Sequence, residues 1–299
     1  PGLTSIAVGM DGRVHSPEIH EIIVQTIADM GIDVVDLEVC PTPILSLVLF
    51  TTSTTTGLMV TASHNPAQYN GIKIFHATKA VWGSEIEQIK KVVENKTFIS
   101  PSAVTGSISE HDAIATYAAW TRKNFPHLVG IDTKIAFDCS NGAAGSIMPL
   151  LLDAMEWKNA KIINQDVDGT FPNHGPDPTK QENLEQLAKF VKKEKLDFGI
   201  CFDGDADRMT PISKNGKIIH GDKVLSMFAN SILKSHPGAA VVYDVKGSSV
   251  VQDVVKSCGG KAVMSATGHA CIREKMDQEN AVLGGEMSCH FFFKDRNYG

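Results

Sequence analysis

Phe198-Gly-Ile-Cys-Phe202 followed by Asp203-Gly-Asp-Ala-Asp207-Arg208 is the stretch on which the reading of this chain turns. Its first five residues read as a short buried strand. Three carboxylates follow at i, i+2 and i+4, and on an extended backbone that spacing aims all three the same way. Close anions raise one another's pKa unless a cation sits among them. Hard oxygen donors at a strand end suit Mg²⁺ or Mn²⁺, and Gly204 is expected to let the backbone turn tightly around the ion. A calcium EF-hand also opens D-x-D-x-D, but its sixth position would be Arg208 and its twelfth Lys214, so that reading fails. A solvated acidic turn is the plain alternative, and the apolar strand in front of it argues against it.

The same strand-then-loop theme recurs on both sides of this stretch. Upstream, Ser5–Met10 reads as a buried strand. Ser16-Pro17-Glu18 then offers an N-cap, a first-turn proline and an acid near the helix dipole. Ile19, Ile22, Ile23 and Ile27 make an apolar stripe, and Gly31 is suited to the helix end. Asp33–Leu37 resumes as a strand, which gives a right-handed βαβ unit. Ser84 and Glu87 have capping-box spacing before Ile89 and Val92. Residues 101–106 read as a linker.

Helices around 112–124 and 183–193 bracket strands at 134–137 and 161–163, with a proline-rich loop at 170–179. Beyond the acidic loop, helices at 222–233, 249–257 and 271–276 alternate with strands at 239–243, 262–264 and 281–284. The fold class expected is α/β, as three consecutive α/β domains of similar topology, each a small mixed sheet packed between helices. The boundaries fall at 1–105, 106–210 and 211–299.

With 299 residues, 42% apolar and 21% charged, the chain can build such cores. A formal net charge of -6 argues against a nucleic-acid partner. It leaves room for an anionic sugar held by local cations or a metal. The six cysteines form no C-x-x-C pair, so zinc ribbons and thioredoxin-like motifs are unsupported. No apolar run is long enough for a membrane span and no signal segment stands out, so a cytoplasmic, membrane-free protein is expected.

Three more strings carry chemistry. Thr61-Ala-Ser63-His64-Asn65-Pro66 follows the strand-like Gly57–Val60. A free serine hydroxyl is a weak nucleophile, and a metal touching its oxygen or phosphate would correct this. His64 can donate to a phosphate. No G-x-S-x-G surrounds Ser63, which weighs against an α/β-hydrolase. Read alone, this string is also the composition of a simple turn. In Gly71-Ile-Lys73, a lysine between Ile72 and Ile74 can be partly desolvated, lowering its pKa toward an acid–base range. Read alone, it is more simply a lysine reaching the surface from a strand. Gly284-Gly-Glu286-Met-Ser288-Cys-His290 closes another strand. Glu and Ser together suit vicinal hydroxyls, and His290 can exchange protons near neutrality. Lys246 and His269 also follow apolar runs.

Taken together and in this order, T-A-S-H-N-P, G-I-K, D-G-D-A-D-R and G-E-M-S-C-H resemble the α-D-phosphohexomutases, nearest to the phosphomannomutase/phosphoglucomutase branch. D-G-R at 11–13 and P-T-P at 41–43 fit as well. The resemblance implies an isomerase-class phosphotransferase that interconverts hexose 1- and 6-phosphates of mannose or glucose. It would act through a phosphoserine and a hexose 1,6-bisphosphate, which serves as intermediate and activator. It implies that Ser63 carries the phosphoryl group beside His64, and that Asp203, Asp205, Asp207 and the Ser63 phosphate hold one Mg²⁺. Arg208 would lie against the substrate or phosphoserine. Lys73 and His290 become the acid–base candidates, with His269 near them.

Arg13 is implied among the substrate-binding residues as a support of the phosphoserine region. Glu286 and Ser288 would grip the O3 and O4 hydroxyls, and Lys246 the ring. Cys289 stands where Gly or Ala is usual, so a tighter or shifted sugar loop is expected. On this resemblance the family's fourth, phosphate-binding domain is expected to be missing, and residues ahead of Pro1 as well. Weak activity or none is therefore expected of this chain, with a monomer favoured. A non-catalytic phosphosugar- or metal-binding protein of the same fold is the alternative, and a serine-dependent phosphatase a third.

Overall fold

The computed structural model describes residues 3–77 and 79–296, and among them three sheets form. The first domain contains β1 (Ser5–Met10), α1 (Ser16–Asp29), β2 (Asp33–Val39), α2 (Thr42–Thr51), β3 (Gly57–Val60), β4 (Ile72–His76), β5 (Lys79–Ala80), α3 (Ser84–Asn95) and β6 (Ile108–Glu110). Its sheet runs β5-β4-β3-β1-β2-β6. β1 is parallel to β2 and β3, while β4 and β5 return antiparallel. β1 carries Ile6, Ala7 and Val8, all buried, because helices cover both faces. Val24, Ile27 and Ala28 of α1 pack on Ile6 and Val8; Leu45, Val48 and Leu49 of α2 pack on Ala7 and Met59.

The second domain contains α4 (Ala113–Asn124), β7 (Ile135–Asp138), α5 (Ala144–Ala154), β8 (Lys161–Ile163), α6 (Gln181–Lys193), β9 (Phe198–Phe202) and β10 (Met209–Ser213). The sheet order is β10-β9-β7-β8, with α5 on one face and α6 on the other. The third domain contains α7 (Gly221–Ile232), β11 (Ala240–Asp244), α8 (Ser249–Ser257), β12 (Lys261–Ser265), α9 (His269–Glu279), β13 (Leu283–Gly285) and β14 (Phe291–Phe293). Its order is β12-β11-β13-β14, with α7 and α8 on one face and α9 on the other.

The α/β class and the three small mixed sheets are as the sequence implies. Several local details differ. Ser16 is not a cap: it lies inside α1, and its hydroxyl donates to Asp11 Oδ1 at 2.7 Å. Ile22 is exposed, and the buried face of α1 instead carries His20, whose ring stands 3.0 Å from Asp36. Ser84 makes no capping bond, and no residue of α3 is buried, Ile89 and Val92 included. The expected break near 105 falls short of β6, which pairs with β2 in the first sheet, and that near 210 falls inside β10. No described helix is long and apolar enough to cross a membrane.

The topology decides where chemistry can gather. Asp11 follows β1, Ser63 follows β3, the acidic loop follows β9, Lys246 follows β11 and Glu286 follows β13. These are the carboxyl ends of parallel strands, where α/β sheets bind their ligands.

Candidate active site

The loop after β3 is held from below. The Arg13 side chain is fully buried and its guanidinium donates to four carbonyls: Ser63 and Asn65 at 2.7 Å, Pro66 at 2.8 Å and Tyr69 at 3.1 Å. Its Nε donates to Asp11 Oδ2 at 3.0 Å, and that oxygen also accepts from Thr61 Oγ1 at 2.7 Å. The Ser63 N–H donates to Thr61 Oγ1, closing the network. This clamp holds Ser63 at φ 51°, a left-handed conformation that a non-glycine residue keeps only when its surroundings over-determine it. Arg13 is thus spent on the loop. That fits the support of the serine loop expected of it, and its described contacts are all with the loop and Asp11.

Ser63 Oγ donates to Asp203 Oδ2 at 2.8 Å, joining two loops 140 residues apart. Two glycines make this approach feasible. A Cβ on Gly204 would stand 2.5 Å from the Ser63 carbonyl oxygen, and one on Gly142 would stand 2.6 Å from the Gly204 oxygen. Close approach, not turning, is therefore what Gly204 supplies; Ala206, at φ 57°, makes the turn. The three carboxylates converge because the loop curves, not because the backbone is extended.

Asp203, Asp205 and Asp207 each offer an oxygen within 4.8 Å of the others. Asp205 is fully buried; its Oδ2 accepts from Thr42 Oγ1 at 2.5 Å and from Lys73 Nζ at 2.6 Å, while Oδ1 has no partner. An orphaned buried carboxylate oxygen beside two further carboxylates fits a hard divalent cation. Asp203 is pushed well up by burial and by its two carboxylate neighbours, the mutual repulsion that a cation relieves.

Lys73 bridges Asp205 and Asp207 at 2.6 and 2.5 Å. Burial would lower its pKa, as the sequence reading expected, but the charges of Asp205 and Asp207 outweigh burial and raise it. The expected downward shift is thus reversed: Lys73 is a firm cation here. His290 is held similarly. Burial opposes its charge, yet Asp207 Oδ1 at 3.0 Å and Glu286 Oε2 at 2.6 Å lift it to about 9. His269 is pushed down to about 3 by burial and by neighbouring His290, so it serves as a neutral ring packed edge-on to Phe292. Burial and Arg208 likewise lower His64, whose Nδ1 lies 3.4 Å from Ser63 Oγ.

In the loop after β13, Glu286 Oε1 accepts from the Gly268 N–H at 2.6 Å, and Ser288 Oγ donates to Oε2 at 3.3 Å. Cys289 adopts φ 69° with its thiol buried against Thr210, and its carbonyl accepts from the Met209 N–H. The loop after β13 is thereby tied to β10 of the second domain. A cavity of about 550 Å³ opens where loops of all three domains meet. Ser63, His64, Lys73, Asp207, Arg208, Lys246, His269, Glu286, Ser288 and His290 line it; Asp203 and Asp205 lie deeper. Asp11, Thr42 and Thr61 support the site without having been singled out from the sequence, although D-G-R and P-T-P mark two of them.

Three α/β sheets presenting a serine, an acidic trio and a polar loop to one cleft define a class by fold and site. Family models described as phosphoglucomutase/phosphomannomutase α/β/α domains I, II and III match residues 2–100, 116–216 and 220–299. A "Phosphomannomutase/phosphoglucomutase" of Pseudomonas aeruginosa is 37% identical over 298 residues, covering 100% of this chain and 63% of the relative. A "Phosphoglucomutase" of Neisseria meningitidis is 37% identical over 303 residues, covering 100% and 64%. The crystal structure of a phosphoglucomutase/phosphomannomutase family protein from Burkholderia thailandensis superimposes with a TM-score of 0.90 at 33% identity, covering 99% of this chain and 65% of that one. The chain belongs to the phosphoglucomutase/phosphomannomutase family. It spans a little under two thirds of the length of these relatives.

Proposed function

We propose that this chain carries the phosphoserine, metal and sugar-recognition loops of a mutase that interconverts hexose 1-phosphate and hexose 6-phosphate, with glucose and mannose phosphates as substrates. The observation that carries the reading is the Ser63 hydroxyl 2.8 Å from Asp203, within the carboxylate trio. The names of the relatives at about 37% identity support the substrate class.

Phosphorylated Ser63 donates its phosphoryl group to a hydroxyl of the bound hexose monophosphate. The Ser63 Oγ–P bond breaks as the new O–P bond forms. Ser63 regains a proton while the sugar hydroxyl loses one, so the site's proton count is unchanged. The resulting hexose 1,6-bisphosphate turns over in the cleft, and its other phosphate returns to Ser63. Asp203, Asp205 and Asp207 would hold Mg²⁺, which offsets charge on the transferring group, where most of the catalysis in phosphoryl transfer lies. Lys73 and His290 are the acid–base candidates: one gives the proton that Ser63 Oγ regains, and the other takes the proton that the sugar hydroxyl loses. Glu286 and Ser288 hold sugar hydroxyls, and Lys246 and Arg208 supply positive charge at the rim. All six cysteines are free, which suits a reducing compartment such as the cytoplasm.

Incubation with glucose 1,6-bisphosphate and Mg²⁺, followed by peptide mass analysis, tests this. The Ser63 peptide should gain about 80 Da, one phosphoryl group, and Ser63→Ala should gain nothing there. An unmodified Ser63 peptide would remove the phosphoserine from the scheme, and free phosphate released without sugar isomerisation would favour a phosphatase.

A further inference from the structure

We propose that Trp82 is the platform on which the hexose ring lies, and therefore a positioning and specificity residue of the cleft; this rests on the mutase reading above. β4 and β5 pair with Phe75 opposite Ala80 and His76 opposite Lys79. The Val81 N–H continues that register by donating to the Ile74 carbonyl at 2.8 Å. One step further sets Trp82 across from Lys73. Directly opposed residues of an antiparallel pair share a face, so the indole stands on the same side as the lysine that binds the acidic trio.

Trp82 lines the 550 Å³ cavity together with Lys73 and the sugar-loop residues Glu286 and Ser288. It also lines an adjoining groove of about 730 Å³ between the first and third domains, so it forms the lip between the two. The side chain is 43% exposed. The backbone around it is fixed: its carbonyl accepts from the Glu85 N–H, and Gly83 at φ 56° starts the turn into α3. A large aromatic ring on a fixed backbone, exposed where it lines a cleft, is well suited to a ligand.

The chemistry of a hexose matches this arrangement. Its hydroxyls point outward around the ring, while its faces present C–H groups. Polar groups on the third domain can hold the rim of hydroxyls. The first domain offers a flat apolar surface for one face, with an N–H at its edge able to donate to a hydroxyl or phosphate oxygen. The epimer with an axial hydroxyl on the stacked face would sit less closely, which makes Trp82 a means of choosing between hexoses.

The test is a titration of the full chain with glucose 1-phosphate in Mg²⁺, read by calorimetry and by tryptophan emission. Trp120 and Trp157 lie in the second domain, packed on Tyr117 and Phe137, and give a constant background. Emission should change on binding, and the change should vanish in Trp82→Phe. Trp82→Ala should weaken glucose 1-phosphate about tenfold, Trp82→Phe only a few-fold, and inorganic phosphate should bind all three alike. Parent-like sugar affinity in Trp82→Ala, an emission change that survives in Trp82→Phe, or an equal loss of phosphate affinity would overturn the role. If the parent chain binds no hexose phosphate while Ser63 still accepts a phosphoryl group, the platform falls alone; if neither occurs, the mutase reading falls with it.

Discussion

The Lys73 ammonium lies 2.6 Å from Asp205 Oδ2, on the carboxylate whose other oxygen is buried without a partner. Lys73 therefore acts as counter-ion to the same carboxylates that would hold the metal. An ammonium and a divalent cation compete for one pool of negative charge. Lys73→Met should raise Mg²⁺ affinity by about tenfold, roughly 1.4 kcal/mol, a figure kept modest because the lysine is 29% exposed. Calorimetric titration with Mg²⁺ measures this, and mutase turnover should fall in the same variant. Unchanged or weaker Mg²⁺ binding would show that the two cations use separate oxygens.

Arg13 carries a different kind of load. Its removal would leave the Asp11 carboxylate buried and four loop carbonyls without their donor. Arg13→Ala is expected to cost about 3–5 kcal/mol of unfolding free energy, read from urea melts. Arg13→Lys should recover little, because a single ammonium cannot span the directions of a guanidinium fork. If Arg13→Ala keeps its stability and loses only hexose phosphate affinity, direct substrate contact is restored as its role.

The contrast between these two residues shows what the sequence could reveal. Strand-then-loop strings were readable because their residues are consecutive: Phe198–Phe202 before the acidic trio, Gly57–Val60 before Ser63. The contacts by which Arg13 supports the serine loop could not be read, because its partners lie 50 to 56 residues away. α2 went unread because Thr42–Thr51 is apolar nearly all round, a pattern that gives no period to separate helix from strand. β10 and β14 are antiparallel returns of five and three residues just beyond site loops, too short to show a period of their own. Lys73 was placed at the site, yet the direction of its pKa depended on carboxylates 132 and 134 residues distant. Sequence separation, more than residue type, set the limit.

His174 should give the chain a distinct pH response. Its Nδ1 faces the Gly175 carbonyl at 2.9 Å and its Nε2 faces Asp138 Oδ2 at 3.1 Å, with Asn164 and Cys201 alongside. Burial disfavours the charge, but the hydrogen bond and charge of Asp138 outweigh it and lift the pKa above the ordinary 6.5. A raised folded pKa means that the fold binds the proton more tightly than the unfolded chain does. The stabilisation is complete below about pH 6.5 and is lost as pH rises through the folded value. Urea midpoints measured from pH 6 to 9 should decline, and His174→Gln should flatten that component. A parent and variant with parallel pH profiles would show that the pair is not charged in the fold.

The metal loop should also be sensitive to a residue that touches no ligand. Gly142 lies where a Cβ would meet the Gly204 carbonyl oxygen at 2.6 Å and the Gly204 Cα at 2.9 Å, both backbone atoms that cannot swing aside. The neighbouring Ala143 N–H already donates to that same oxygen at 2.9 Å, fixing the spacing between the two loops. Gly142→Ala must therefore push the Asp203–Asp207 loop away from β7. Gly204 cannot yield toward the first domain, because Ser63 closes that direction. Overpacking of this kind costs about 1–3 kcal/mol, and the displacement falls on the ligand loop itself. Mg²⁺ affinity should drop by about tenfold, and phosphorylation of Ser63 by glucose 1,6-bisphosphate should slow by at least as much. Calorimetry and timed peptide mass analysis read the two effects separately. Parent-like metal binding with reduced stability alone would mean that the strain dissipates into α5, leaving the contact between the serine and acidic loops intact.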